Sequence, residues 1–91
     1  MKNKKYIRCN SISYRQGYIE VRTDIHEKCI NIETWGINPE IDISNLELTD
    51  KKISDEDVTS NTEVELSLEN AENLVGLLQE AIKKVKSNES T

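Results

Sequence analysis

The residue types in this sequence that most readily carry chemistry are one histidine and two cysteines. His26 and Cys29 stand three positions apart, and Cys9 lies earlier in the chain. Three such side chains could ligate zinc in principle. Structural zinc sites, however, use paired Cys or His spacings that complete four ligands, and only half of such a pattern is present. The sequence therefore predicts no metal site and no cofactor.

A cysteine nucleophile would need its thiol within hydrogen-bonding distance of an imidazole base. His26 and Cys29 bound the short polar segment "HEKC", which we expect to form a turn, and no nearby residues indicate an oxyanion hole. The chain has no glycine-rich phosphate loop, and a small domain leaves little room for a ligand pocket of about 300 Å³ or more. We therefore predict a non-enzyme with two half-buried, unpaired thiols.

Carboxylates are far more numerous than these groups, and they are concentrated in one stretch. Residues 53–72 contain seven acidic residues and no Lys or Arg. Net charge is +3 over residues 1–36, −9 over residues 37–73 and +1 over residues 74–91. The acidic middle opposes nucleic-acid binding, because affinity for phosphates depends on clustered Lys and Arg, and only the basic arm of residues 1–5 offers such a contact. The seven candidate partner-binding residues are Asp55, Glu56, Asp57, Glu63, Glu65, Glu69 and Glu72.

Three interpretations of this acidic stretch stay open at the level of sequence. The carboxylates could simply keep a loop, the outer face of a strand and a helix start in water. They could form a surface for a basic partner protein. They could also bind calcium, although the stretch lacks the glycine and the ligand order of a hand-type calcium loop.

The pattern of apolar residues along the chain predicts short strands followed by one helix. Apolar and polar residues alternate cleanly in "YIEVRTDI" (residues 18–25) and again in "INIETWGI" (residues 30–37), which predicts half-buried antiparallel strands. The other predicted features are a strand at 5–15, a tight turn at Gln16–Gly17, short strands around Ile41–Ile43 and Leu46–Leu48, a polar loop at 49–62 and a strand at 63–67.

The end of the chain predicts an amphipathic helix over residues 68–86, followed by a disordered tail at 87–91. Ser67 is a favourable N-cap, and apolar residues recur at helical spacing after it. An isolated helix of this length is marginal in water, so we expect it to lie across a sheet. The prediction is one domain over residues 1–91 of the α+β class: an antiparallel meander of four to five strands with one C-terminal helix packed across one face.

The other face of that sheet is predicted to carry the aromatic residues. Tyr6, Tyr14, Tyr18 and Trp35 could line it, leaving either tyrosines at strand ends or an exposed contact surface. Such a surface would suit a partner protein or a second copy of the chain, so a homodimer is among the expected assemblies.

The functional prediction follows from the lack of catalytic and cofactor motifs and from the distribution of charge. No apolar run approaches a membrane span, and the basic start lacks the apolar segment of a secretory signal, which predicts a cytoplasmic protein. We predict a non-catalytic binding protein whose acidic surface meets a basic protein surface. Its composition is typical of phage and mobile-element accessory proteins that inhibit host defences, among them anti-CRISPR proteins. The alternatives are a protein that sequesters a small ligand at a dimer seam and a structural or oligomerisation module.

Overall fold

The structure, a computed structural model, describes residues 6–49 and 53–89. Within them, four strands form one antiparallel sheet in the order β1-β2-β3-β4, and a helix follows the last strand. The predicted α+β class, an antiparallel meander with a C-terminal helix packed against it, is confirmed. The elements are β1 (Tyr6–Cys9), a 3-10 helix (Ser13–Arg15), β2 (Gln16–Arg22), β3 (Cys29–Ile37), a second 3-10 helix (Asp55–Asp57), β4 (Val58–Ser67) and α1 (Leu68–Glu89).

The two faces of the sheet differ in chemistry. Successive side chains of a strand alternate between faces, and residues paired across strands share a face, so the register assigns each side chain. The glutamate face carries Tyr6, Arg8, Gln16, Tyr18, Glu20, Arg22, Asn31, Glu33, Trp35, Ile37, Asn61, Glu63 and Glu65. The isoleucine face carries Ile7, Cys9, Ile19, Val21, Ile30, Ile32, Thr34, Thr62, Val64 and Leu66.

The buried core lies on the glutamate face. Tyr18, Ile37 and Ile43 are at most 2% exposed. Ile43 belongs to residues 38–49, here called the strap, which run over one end of this face. The half-buried side chains around these three are Tyr6, Trp35, Ile41, Leu48, Ile53 and Val58.

The strap contains no strand, so the short strands predicted at Ile41–Ile43 and Leu46–Leu48 are wrong. Its backbone carbonyls accept hydrogen bonds from side chains of the sheet instead of from a neighbouring strand. Arg8 Nη2 and the Tyr18 hydroxyl both donate to the carbonyl of Leu46, at 2.7 and 2.8 Å. A backbone segment satisfied in this way needs no ladder partner.

The tight turn predicted at Gln16–Gly17 is also wrong, because both residues lie within β2. The connection from β1 occupies residues 10–15, and β1 itself ends at Cys9, well short of the strand predicted over 5–15. Gly17 pairs with Gly36, and a Cβ on Gly17 would overlap the carbonyl oxygen of Trp35. Glycine is needed here for close approach of two strands, not for a turn.

The polar loop predicted at 49–62 is wrong over its second half. β4 begins at Val58, and Asn61 pairs with Trp35 of β3. Residues 59–62 are Thr, Ser, Asn and Thr, so both faces of the strand are polar here and no alternation marks it. Residues 50–52 of the predicted loop lie outside the described residues.

The predicted N-cap of the helix is confirmed, because the backbone N–H of Asn70 donates to Ser67 Oγ at 3.1 Å. The helix runs to Glu89, three residues beyond the predicted end at 86, so residues 87–89 are helical and do not belong to a tail. Residues 90–91 and the basic arm of residues 1–5 lie outside the described residues.

The predicted aromatic face is confirmed in part, because Tyr6, Tyr18 and Trp35 share the glutamate face, but this face is not open. Tyr18 is buried beneath the strap, and Tyr6 meets the Tyr18 ring edge-on with centroids 5.9 Å apart. Tyr14 sits on the first 3-10 helix, outside the sheet, and is 73% exposed. The strap therefore covers the surface that the sequence left open.

Candidate interaction surfaces

Three glutamates stand side by side on the glutamate face. Glu20 of β2 pairs with Glu33 of β3, which pairs in turn with Glu63 of β4. Neighbouring strands lie about 4.8 Å apart, so three carboxylates share one line across the sheet. We call Glu20, Glu33 and Glu63 the glutamate row.

Each carboxylate of the glutamate row accepts a hydrogen bond from a neutral group. The donors come from the adjacent positions of β3 and β4, so the strands that align the glutamates also supply their partners. The bonds are Trp35 Nε1 to Glu20 at 3.3 Å, Asn61 Nδ2 to Glu33 at 2.9 Å and Asn31 Nδ2 to Glu63 at 3.0 Å.

Asn31 is the one buried polar side chain among the described residues, with 3% of its surface exposed. Its amide nitrogen donates to Glu63, while its Oδ1 is buried and has no hydrogen-bond partner in that part of the chain. Leaving a buried acceptor unpaired costs about 1–3 kcal/mol. The fold accepts this cost at the position that holds the end of the glutamate row.

The basic side chains nearest the glutamate row hydrogen-bond or pair with other carboxylates. Arg22 makes two hydrogen bonds to Asp24, both with nitrogen–oxygen distances of 3.0 Å; these bonds, and to a smaller extent the charges of Glu20 and Glu33, raise the pKa of Arg22. His26 Nε2 lies 3.2 Å from Glu65. Across residues 6–49 and 53–89, no ion pair involves the glutamate row.

The seven acidic residues chosen from the sequence do not form one surface. Asp55, Glu56 and Asp57 occupy the second 3-10 helix, beside the strap, where the backbone N–H of Asn38 donates to the Asp57 carbonyl at 2.7 Å. β4 begins directly after these three residues, and its ten residues span about 33 Å.

The remaining four lie further along the chain. Glu69 and Glu72 follow in the first turns of α1. Only Glu63 and Glu65 join the glutamate face. Their neighbours Glu20 and Glu33 lie in a part of the chain with net positive charge, so counting charge along the chain missed them; their outward position in two alternating strands was the available signal.

The residues first considered for metal or thiol chemistry are placed apart. Cys9 lies on the isoleucine face, whereas the register places Cys29 on the opposite face. His26 is engaged by Glu65. In the described part of the chain, no three His, Cys, Asp or Glu side chains are grouped to hold a metal ion.

In the described part of the chain, shallow depressions lie on the surface of α1. One is polar and lined by Glu80, Lys83, Lys84, Ser87 and Asn88; another is apolar and lined by Leu78, Ala81, Ile82, Val85 and Lys86. Both are formed by side chains of a single helix, which is the geometry of a contact surface and not of an enclosed ligand cavity. No helix in the described ranges is both long enough and apolar enough to cross a membrane.

Comparisons of this chain with protein-family models, with curated proteins and with solved structures found no match.

Proposed function

We propose that this chain is a non-catalytic binding protein that presents the glutamate row to a cationic surface of another protein. The observation that supports the proposal is a line of three adjacent carboxylates whose hydrogen-bond partners are all neutral. Such a line attracts guanidinium and ammonium groups, and it also speeds their approach over distance.

The negative charge of this line opposes folding. Like charges directly opposite on neighbouring strands destabilise a sheet. Glutamine would accept the same hydrogen bonds from Trp35, Asn61 and Asn31 without that repulsion. Three glutamates at these positions are therefore better explained by binding to a partner than by stabilisation of the fold.

The partner class is a protein with a Lys- and Arg-lined surface of the kind that binds nucleic acid. Inhibition of a host-defence nuclease by a phage or mobile-element protein is the function of this class that the composition favours. Asp55, Glu56, Asp57, Glu69 and Glu72 lie away from the glutamate row, and they serve as matched negative controls rather than as the primary contact.

The test compares two triple variants that remove the same charge from different places. The row variant is Glu20→Gln, Glu33→Gln and Glu63→Gln; the loop variant is Asp55→Asn, Glu56→Gln and Asp57→Asn. Each is immobilised beside the original protein, and basic proteins are captured from a bacterial lysate at about 20 mM and about 300 mM salt, because screening weakens exposed charge contacts.

We expect the original protein and the loop variant to retain basic proteins at low salt, and the row variant to lose them. Thermal unfolding of the row variant should show equal or higher stability, since repulsion is relieved. Recovery of the same basic proteins by the row variant, or of none by the original protein at low salt, would refute the proposal.

A further inference from the structure

The helix α1 has an apolar stripe that continues beyond its contacts with the sheet. Its members alternate in spacing between three and four residues, the a and d pattern of a heptad repeat. Side chains beyond the first turns are about half exposed: 53% for Val75, Leu78 and Ile82, and 55% for Val85. We call this stripe the heptad seam; it consists of Leu68, Ala71, Val75, Leu78, Ile82 and Val85.

The sheet contacts only part of α1. The helix touches β4 and β3, and Ala71 and Leu74 in its first turns are half-buried. A helix of 22 residues is about 33 Å long, so the later turns carry the seam past these contacts.

The isoleucine face adds to this open apolar area. Ile7, Val21 and Val64 on this face are 59%, 39% and 52% exposed. Several large exposed apolar side chains on one small domain are typical of a surface that contacts another molecule.

The chain is less compact than a typical domain of its size. The chain exposes 7641 Å², whereas a compact monomer of 10.4 kDa exposes about 5,400 Å². Its radius of gyration is 15.1 Å, against about 12 Å for a compact domain of this length. The chain therefore exposes about 2,200 Å² more surface than a compact monomer, and a stable interface would cover roughly 800 Å² on each partner.

We propose that a second copy of this chain covers the heptad seam, with the two α1 helices packed antiparallel. A two-fold axis near Glu80 sets Val75 opposite Val85 of the second copy and Leu78 opposite Ile82 of the second copy. The four layers use the half-exposed part of the seam and leave the first turns on the sheet. The same surface is used by both copies, as a two-fold dimer requires.

Charge beside the seam favours this direction. In the antiparallel pair, Glu72 lies beside Lys86 of the second copy, and Gln79 meets Gln79 of the second copy. A parallel pair would instead bring Leu74 against Gln79 and Ala81 against Lys86, which offers no opposite charges. Flanking charges of this kind set the orientation of paired helices.

The primary test measures mass in solution by light scattering across a dilution series. We expect twice the 10.4 kDa of one chain, falling toward one chain on dilution. Ile82→Glu should weaken the dimer by at least about 30-fold, because the charge enters the centre of the interface twice. Asn73→Glu, on the opposite side of α1, should leave the dimer intact.

Direction is tested by charge reversal at two exposed residues. Lys86→Glu should weaken the dimer by about 2- to 5-fold, and adding Glu72→Lys should restore it. Failure of the second change to restore the dimer would refute the antiparallel register.

If Ile82→Glu fails to fold, the dimer is tested by hydrogen exchange of the original protein at high and low concentration. Amides of α1 should be better protected in the concentrated sample. A monomer at high concentration, a dimer unaffected by Ile82→Glu, or α1 protection independent of concentration would each overturn the proposal. So would a chain that stays monomeric and binds phospholipid vesicles through the seam.

Discussion

The strap end of the sheet and the helix α1 carry similar apolar side chains, but the first buries them and the second leaves them exposed. At the strap end, Ile43 is fully buried, and the strap is fastened to the sheet by hydrogen bonds from Arg8 and Tyr18. Along α1, Leu78 and Ile82 are each 53% exposed. The chain therefore buries one set of apolar side chains by itself and leaves the other exposed. The proposed dimer would make the first set important for folding and the second for assembly.

The sharpest way to test this difference compares the same substitution at two glycines. Gly17→Ala should unfold the chain or cost about 3 kcal/mol or more, because the new Cβ would overlap the Trp35 carbonyl oxygen. Gly76 in α1 has open space where a Cβ would stand, so Gly76→Ala should stabilise by about 0.5–1 kcal/mol through helix propensity. Chemical denaturation measures both. Equal effects would show that the two regions do not differ as described.

A second comparison truncates one apolar side chain in each region. Ile43→Ala should lower the free energy of unfolding by about 2–4 kcal/mol, because a fully buried side chain leaves a cavity. Leu77→Ala removes a side chain that is 69% exposed and lies beside the heptad seam, not in it, so its effect should stay within about 0.5 kcal/mol. A large loss from Leu77→Ala would place α1 in the core of the fold.

The smallest expected effect concerns a carboxylate in the strap. The backbone N–H of Ser44 donates to Asp42 Oδ1 at 3.0 Å and lowers the Asp42 pKa from its usual 3.8. A lowered folded pKa means that the contribution of Asp42 to stability is present above pH 3.8 and is lost as pH falls through the folded value.

Asp42→Asn keeps an acceptor oxygen but removes this titration. The stability difference between the original protein and Asp42→Asn should therefore be constant near neutral pH and should shrink on acidification toward about pH 2. Denaturant unfolding across this range measures the difference. A difference that does not change with pH would contradict the assignment.

The elements that sequence predicted best are those in which independent signals agree. Ser67 as a cap and the apolar spacing after it pointed to the same helix, and alternation marked β2 and β3. The prediction of strands in the strap was wrong because its apolar residues have the alternating spacing of a strand. These residues are Ile41, Ile43, Leu46 and Leu48. What holds the strap is a set of side chains from distant residues such as Arg8, and no local pattern reports them.

The acidic surface was only half predictable for the same reason. Glu63 follows from the acidic stretch, but Glu33 and Glu20 precede Glu63 by 30 and 43 positions along the sequence. They join Glu63 only through the register of three strands. The strict three-and-four spacing of the seam was visible in the sequence. From the sequence alone, the same spacing predicts a surface that covers the sheet.

The joint between β4 and α1 has a mechanical consequence. Ser67 still pairs with Cys29 in the sheet while its hydroxyl already holds the first turn of the helix, so no flexible residue separates strand from helix. β4 and α1 therefore follow each other over residues 58–89 with no loop between them, with Glu63 in the strand and Ile82 in the helix. In the proposed dimer, we expect this short link to limit the angles that the glutamate rows of the two copies can adopt relative to each other.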